Sequence, residues 1–181
     1  AVTANAGSPG DFANVWYTVN GGSSWAITST NPFAALADIL FVEIGFISST
    51  QFRVIVVSGA ATAQVKTGDF TLGAEGTSSW SSAVTIGAAV VEAFKWLFFD
   101  RLYAAVAGDI YISATSGDSF PAASYTGTPA INAFARNPVD DSVYATGASN
   151  TILQERNQSG TFTALVGPSG GGAFTKGLAV A

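Results

Sequence analysis

Apolar positions along this chain fall into short runs separated by clusters of Gly, Ser, Thr, Asn and Asp. Three runs are nearly continuous, Asp38 to Phe46, Val90 to Phe99 and Ala130 to Ala135. Short continuous runs of this kind predict strands covered on both faces. Each is followed by a second run rich in β-branched or aromatic residues, Phe52 to Val57, Leu102 to Val106 and Ser142 to Ala145. A third set follows at Asn14 to Tyr17, Asp69 to Leu72, Asp109 to Ile112 and Thr151 to Gln154. Within that set Val15, Phe70, Ile110 and Ile152 are expected at one equivalent position. Polar–apolar segments such as Ser82 to Ile86 and Phe162 to Val166 close the series. Composition and boundaries are those of strands, and the chain reads as all-β.

An octet recurs after the third strand of each set. Its best copy is Thr18-Val-Asn20-Gly-Gly22-Ser-Ser24-Trp25. The others are Gly73-Ala-Glu75-Gly-Thr77-Ser-Ser79-Trp80, Ser113-Ala-Thr115-Ser-Gly117-Asp-Ser119-Phe120 and Glu155-Arg-Asn157-Gln-Ser159-Gly-Thr161-Phe162. Each ends in a hydroxyl residue followed by an aromatic. An Asn or Asp at the third position accepts hydrogen bonds from its own turn, and a Gly at the fifth tolerates positive φ. The aromatic is expected to bury its ring between neighbouring sheets, worth about 1.5–3 kcal/mol each.

The pattern Ser/Thr-x-Asp-x-Gly-x-Thr-Trp resembles the Asp-box, or BNR repeat, of sialidase-like β-propellers. Thr18, Asn20, Gly22, Ser24 and Trp25 match it position by position, with Asn in place of Asp, and the eroded copies extend the resemblance along the chain. It implies a β-propeller of four repeats of about forty-five residues, in one domain spanning 1–181. The segment 177–181 reads as an innermost strand with no blade after it, and 1–4 as a second strand with no first. Joined, they make a fourth blade and close the ring. The alternative is half of a larger ring of six to eight blades.

Composition narrows the setting. Only 10% of the 181 residues are charged, with a net charge of −5, against roughly 25% in an ordinary soluble domain. So few charges imply either a surface that is polar through Ser, Thr and Asn or one covered by other subunits, and assembly is the favoured reading. The seven cations are scattered singly, so the phosphate-neutralising contribution that nucleic-acid binding needs is missing. The apolar runs are interrupted by charges and shorter than the roughly 20 residues of a membrane-spanning helix. There is no Cys, which excludes disulfides and thiolate chemistry.

The chain has no His, so a Ser-His-Asp triad and an imidazole base are excluded. No Asp-x-Asp-x-Asp cluster suggests a metal, and no cofactor motif is present; the Gly170–Gly172 loop lacks the Lys-Ser/Thr of a phosphate cradle. A glycosidase needs two carboxylates, and Asp38, Glu43, Glu92 and Asp100 lie near innermost strands. They read as strand-end or channel-lining groups, and Asp140-Asp141 after Asn137-Pro138 as a turn. In true sialidases, three arginines clamp the substrate and a Tyr–acid pair attacks it. Here only Arg53, Arg101, Arg136 and Arg156 are available, and no segment resembling Arg-Ile-Pro precedes Thr18.

The positive candidates are binding residues. Trp16 and Tyr111 are placed on the strand face opposite Val15 and Ile110; Trp96 lies in an innermost strand and Arg136 at the end of another. Two functional classes compete. One is a non-enzymatic structural or adhesive module, extracellular or on a virion surface as a decoration, spike or tail-associated component, with other protein subunits as partners. The virion setting is what the resemblance to BNR-bearing surface proteins implies. The other is a carbohydrate-binding propeller, or a piece of a glycoside hydrolase.

Overall fold

The computed structural model describes residues 14–28, 30–33, 39–59, 62–74, 79–127 and 130–167, and residues 2–4 by their backbone alone. They form four antiparallel sheets and no helix. The first sheet is β1 (Val2–Ala4), β2 (Val15–Tyr17) and β3 (Ala26–Ile27); the second is β4 (Ile39–Phe46), β5 (Gln51–Ser58), β6 (Ala63–Thr71) and β7 (Val84–Gly87). The third is β8 (Val91–Trp96), β9 (Leu102–Val106) and β10 (Asp109–Ser113), with Tyr125 bridged to Ile110 where a fourth strand would run. The fourth is β11 (Ile131–Arg136), β12 (Val143–Gly147), β13 (Ile152–Glu155) and β14 (Phe162–Leu165). In each sheet the strands are ordered as they follow in the chain. The predicted strand sets fall on these elements within a few residues. Of the predicted closing pair, β1 is present at the edge of the first sheet, and 177–181 lie outside the described residues.

The alternation of side chains sorts each sheet into two faces, and three apolar clusters join the sheets in order. Val15 of the first sheet and Phe33 of the segment that follows it pack with Phe52, Val54, Val56 and Phe70 of the second. The other face of the second sheet, through Ile55, Val57, Ala63, Val65 and Ile86, meets Val91, Phe94, Leu102, Ala104 and Val106 of the third. Tyr103, Ala105, Ile110 and Ile112 on the far face of the third meet Ile131, Phe134, Val143, Ala145, Leu153 and Phe162 of the fourth. Adjacent residues of one strand therefore serve different joints: in β5, Ile55 faces forward and Val56 back. Full burial of a Val, Leu, Ile or Phe is worth about 1.5–3 kcal/mol, whereas an exposed ion pair is worth about 0–1 kcal/mol. The joints carry the fold.

This assignment corrects one expected equivalence. Phe70 lies on the face toward the preceding sheet, with Val15 of that sheet in its cluster, whereas Val15 and Ile110 face the following sheet. Phe70 is thus the counterpart of Trp16, Tyr111 and Leu153. The β6 hairpin is longer than the others, and counting back from the octet shifts the register by one residue. The innermost strands also depart from expectation: Leu40, Ile44 and Phe46 of β4 are exposed, so its face toward the first sheet is only partly covered.

Two octets fold into one turn. In the first, the Thr18 hydroxyl accepts from the Gly22 N–H at 3.0 Å, and the Asn20 carbonyl oxygen Oδ1 accepts from the Ser24 N–H at 3.0 Å. In the third, Ser113 Oγ accepts from the Gly117 N–H at 2.9 Å and Thr115 Oγ1 from the Ser119 N–H at 3.0 Å. The hydroxyl of Thr115 does the work of the Asn20 side chain, which is why the eroded copy still folds. Fourth and fifth positions are left-handed in both, Gly21 and Gly22 at φ 69° and 91°, Ser116 and Gly117 at 52° and 95°. The fourth octet is a different turn. Its left-handed residues are Asn157, Gln158 and Gly160, and the Glu155 carboxylate, in place of a hydroxyl, accepts from the Gly160 N–H at 2.7 Å. A side chain longer than Ser or Thr reaches one residue further along the turn. Of the second octet, 75–78 lie outside the described residues, and Ser79 is exposed beside Trp80.

A side chain on a left-handed residue costs about 1–2 kcal/mol. At Gly117 an added Cβ also meets Thr67 Cγ2 at 3.1 Å, whereas at Gly22 the nearest atom is Trp25 Nε1 at 3.9 Å. Both Gly22→Ala and Gly117→Ala are expected to destabilise, Gly117→Ala more; urea unfolding of the two variants measures this, and a wild-type midpoint in either variant would contradict the shared-turn account.

Candidate functional site

In a four-stranded meander the first and third hairpins open at the same end, so the octet turns share an end with loops 47–50, 97–101 and 137–142. Large apolar side chains crown that end: Val19, Phe46 and Leu72 are exposed, Phe99 is 69% exposed and Val139 85%. Two adjoining cavities lie among them. One, of about 370 Å³, is lined by Tyr17, Val19, Ile44, Phe46, Phe52 and Leu72. The other, of about 250 Å³, is lined by Ile44, Phe46, Trp96, Phe98, Phe99 and Arg136. They share Ile44, Gly45 and Phe46, so together they form one apolar mouth. Gly45 sets its floor: a Cβ there would come within 2.9 Å of the Trp96 ring, so only Gly lets the indole lie against β4. Trp96 is further fixed by its Nε1–H, which donates to the Phe99 carbonyl at 3.3 Å.

The structure brings two of the four expected binding residues together. Trp96 and Arg136, from adjacent innermost strands, line the same cavity. Arg136 is held on three sides: its Nε donates to Asp141 Oδ1 at 2.9 Å, its Nη1 to the Leu97 carbonyl at 3.5 Å, and its guanidinium lies 4.6 Å from the centre of the Phe98 ring. Tyr111 and Trp16 are elsewhere. Tyr111 is half-buried against the cluster between second and third sheets, and so is a packing residue. Trp16 is 37% exposed on the outer face of the first sheet.

Of the carboxylates near the innermost strands, Glu43 and Glu92 are engaged, and Asp100 is exposed in the 97–101 loop. Glu43 binds Lys95 Nζ at 2.8 Å across the first joint of innermost strands, and Glu92 Oε2 accepts from the Gly108 and Ile131 N–H groups, both at 3.1 Å. Asp140 Oδ1 accepts from the Ser142 N–H and Asn137 Oδ1 from the Val139 N–H, each at 3.0 Å, which is the turn chemistry the sequence indicates. Asp38 lies outside the described residues. The arginines do not converge on a common point. Arg53 binds Asp69, its cross-strand partner, at 2.6 Å and Asp118 of the third octet at 3.0 Å, tying the second sheet to the third. The Asp69 hydrogen bond above all raises its pKa over the ordinary value. Arg101 lies 3.6 Å from Glu155, and Arg156 lines a cavity on the outer strands of the fourth sheet.

Sequence reasoning missed one polar pair. Tyr103 and Glu155 are both fully buried at the joint of the third and fourth sheets, and the Tyr103 hydroxyl donates to Glu155 Oε2 at 2.7 Å. A buried carboxylate must be bonded, and Tyr103, Gly160 and Arg101 supply its partners. The signal available was a Glu where the other octets begin with Thr, Gly or Ser. With no exposed surface the pair meets no ligand; it is a joint.

No protein-family model matches this chain, and no curated protein sequence matches it significantly. Among solved structures it resembles an ancestral GH74 enzyme at 17% identity and a TM-score of 0.62, over 96% of this chain and 26% of that one. It also resembles YCF48 bound to D1 peptide, at 15% identity and a TM-score of 0.52, over 88% of this chain and 49% of that one. The chain thus spans about a quarter of the first and half of the second. These likenesses show the fold: the four sheets are blades of a β-propeller.

Burial, with the Glu155 bond second, pushes the Tyr103 hydroxyl far above its ordinary pKa of 10.0. The unfolded chain ionises this phenol near pH 10 and the folded chain does not, so its contribution to stability is complete below that pH and is lost as pH rises above it. In an alkaline spectrophotometric titration, one of the five tyrosines is expected to ionise only with unfolding, and Tyr103→Phe to abolish that step. A Tyr103→Phe profile identical to wild type would contradict it.

Proposed function

We propose that this chain is a non-enzymatic β-propeller module of the Asp-box kind that works by contact, as a structural or adhesive component, with its turn-bearing end as the contact face. The observation that carries this reading is the crown of exposed apolar side chains around a mouth whose one lining charge, Arg136, is already matched by Asp141. Exposed apolar side chains gathered at one end mark a surface meant to be covered. Sugar hydroxyls would need several unpaired polar groups; Trp96 and Arg136 have their polar atoms bonded, and at the other side of the mouth the Thr18 hydroxyl is bonded within its turn, which leaves the Tyr17 hydroxyl. A hydrolytic site would need two carboxylates facing a common space, and Glu43 and Glu92 are tied to Lys95 and to backbone. The chain's low charge fits the outside of a particle or cell, virion surfaces included. One of the similar solved structures is a complex with a peptide, which agrees with a protein partner.

A carbohydrate-binding reading is favoured by one arrangement, the Trp96 indole beside a guanidinium in one cavity, and by the resemblance to a GH74 enzyme. The two separate experimentally. Phe46→Ser with Phe99→Ser is expected to change stability by less than about 1 kcal/mol, as both side chains are exposed, while removing most binding of an apolar fluorescent dye. The same wild-type protein is expected to give no signal on a glycan array. Saturable glycan binding that Trp96→Ala abolishes, with dye binding unchanged in the double Ser variant, would replace the contact reading with the lectin one.

A further inference from the structure

Of the asparagines in this chain, Asn20 alone is followed by glycine; the others precede Ala, Val, Pro, Thr or Gln. An asparagine carries a latent reaction with its own main chain. The nitrogen of the next residue can close a five-membered imide on the side-chain carboxamide, and a side chain on that next residue is what hinders the closure. Gly21 has none, and even a Cβ built there would meet nothing within 4 Å. It sits in the left-handed region at φ 69°, where glycine is unstrained. The approach to the Asn20 carboxamide is therefore open from the side of the attacking nitrogen.

The octet turn also arranges the other groups that the closure needs. Asn20 Oδ1 accepts from the Ser24 N–H at 3.0 Å and from the Thr18 hydroxyl at 2.9 Å. Two donors on one carbonyl oxygen draw electrons from Cγ, and they already stand where negative charge develops when Cγ is attacked. Asn20 Nδ2 donates to Ser24 Oγ at 2.8 Å, so a hydroxyl lies against the nitrogen that must leave. The N–H groups of Gly22, Ser23 and Ser24 are taken up by Thr18 and Asn20. That of Gly21 donates to no acceptor among the described residues and is free to lose its proton. The third octet shares the turn but has Thr115 and Ser116 at these positions, with no carboxamide to attack.

We propose that Asn20–Gly21 is a site of self-modification in the folded protein, at which the first octet loses its side-chain amide. The Gly21 nitrogen gives its proton to solvent base and bonds to Asn20 Cγ, while the carbonyl electron pair passes to Oδ1. When that pair returns, the Cγ–Nδ2 bond breaks and the nitrogen leaves as ammonia, taking a proton from water through the Ser24 hydroxyl. Water then opens the imide. Breaking the bond from Cγ to the Gly21 nitrogen leaves an aspartate at position 20; breaking the bond from the main-chain carbonyl carbon leaves its β-linked isomer. One water is consumed, one ammonia is released, and the chain becomes one unit more negative than its present −5. The two products differ in consequence. An aspartate accepts from the same Ser24 and Thr18 donors and supplies the acid of the octet pattern. The β-linked isomer adds a methylene to the main chain within the turn, so the Gly22 and Ser24 N–H groups lose their register with Thr18 and Asn20. Val19 and Gly21 line the apolar mouth, and the isomer therefore reshapes that face. The chemistry needs only water, so it stands or falls separately from the use made of the mouth.

The test is mass-spectrometric peptide mapping of the whole chain aged in mildly alkaline buffer made with heavy-oxygen water, folded and, in parallel, unfolded in guanidinium. Heavy oxygen is expected to enter at position 20 at least tenfold faster than at Asn132 or Asn150, and at least as fast in the folded chain as in the unfolded one. Ser24→Ala keeps both donors on Oδ1 but removes the hydroxyl from Nδ2. Ser24 is exposed, so this variant is expected to fold, which a thermal melt checks, and to age severalfold more slowly than wild type when folded and at the same rate when unfolded. Part of the product is expected to be β-linked, detected by enzymatic isoaspartyl methylation, and to melt below Asn20→Asp, which melts with the wild type. A folded chain that keeps the Asn20 amide while the unfolded chain loses it overturns the proposal. So does a Ser24→Ala variant that ages at the wild-type rate when folded.

Discussion

Everything in this structure depends on burying sheet faces against one another. A three- or four-stranded sheet of such short strands has two faces and too few residues to cover either, so no blade is stable alone. β5, buried from Val54 to Ser58, is apolar on both sides for that reason, and β9, with all five residues buried, is the extreme case. Polar contacts at the joints act within this constraint. The Arg53–Asp69–Asp118 cluster and the Tyr103–Glu155–Arg101 cluster each fix how two blades meet. Removing one partner of the buried pair would leave a polar group without its bond, at about 1–3 kcal/mol. Their contribution is to specify a joint that apolar burial has already made favourable.

The octet serves the same end. Its hydroxyl and acceptor side chains close a left-handed turn that reverses the chain in few residues, and its aromatic is thereby aimed at the neighbouring blade. This explains how the repeat tolerates erosion. Thr115 substitutes for Asn20 because any acceptor two residues after the hydroxyl can hold the Ser N–H. Glu155 substitutes for the hydroxyl itself by adopting a different turn, and Phe162 still reaches its cluster. The element under constraint is the ring against the next sheet, and the turn varies around it.

Strand order and the place of the turns could be read from the chain because apolar runs and turn residues are local signals. The register of β6 could not, since a longer hairpin shifts Phe70 by one residue and so onto the opposite face. Trp25, expected between sheets, is 44% exposed for a related reason: its aromatic character is local, while its burial depends on a sheet that the described residues do not place there. At the mouth, Arg136 and Trp96 were recognisable by type and position, but Gly45, which lets the indole lie flat, matters only through the approach of another strand. Glu155 and Tyr103 are 52 residues apart, and nothing local signals that they meet.

The central claim is that blade faces buried against one another carry the fold, with Trp80 at such a joint and Trp16 and Trp25 on an exposed face. Fluorine NMR of protein labelled with 5-fluorotryptophan tests it directly, since the four Trp residues sample both kinds of face. Exchanging H2O for D2O is expected to shift the Trp16 and Trp25 resonances more than that of Trp80. A Trp80 resonance as solvent-sensitive as those of Trp16 and Trp25 would contradict the account.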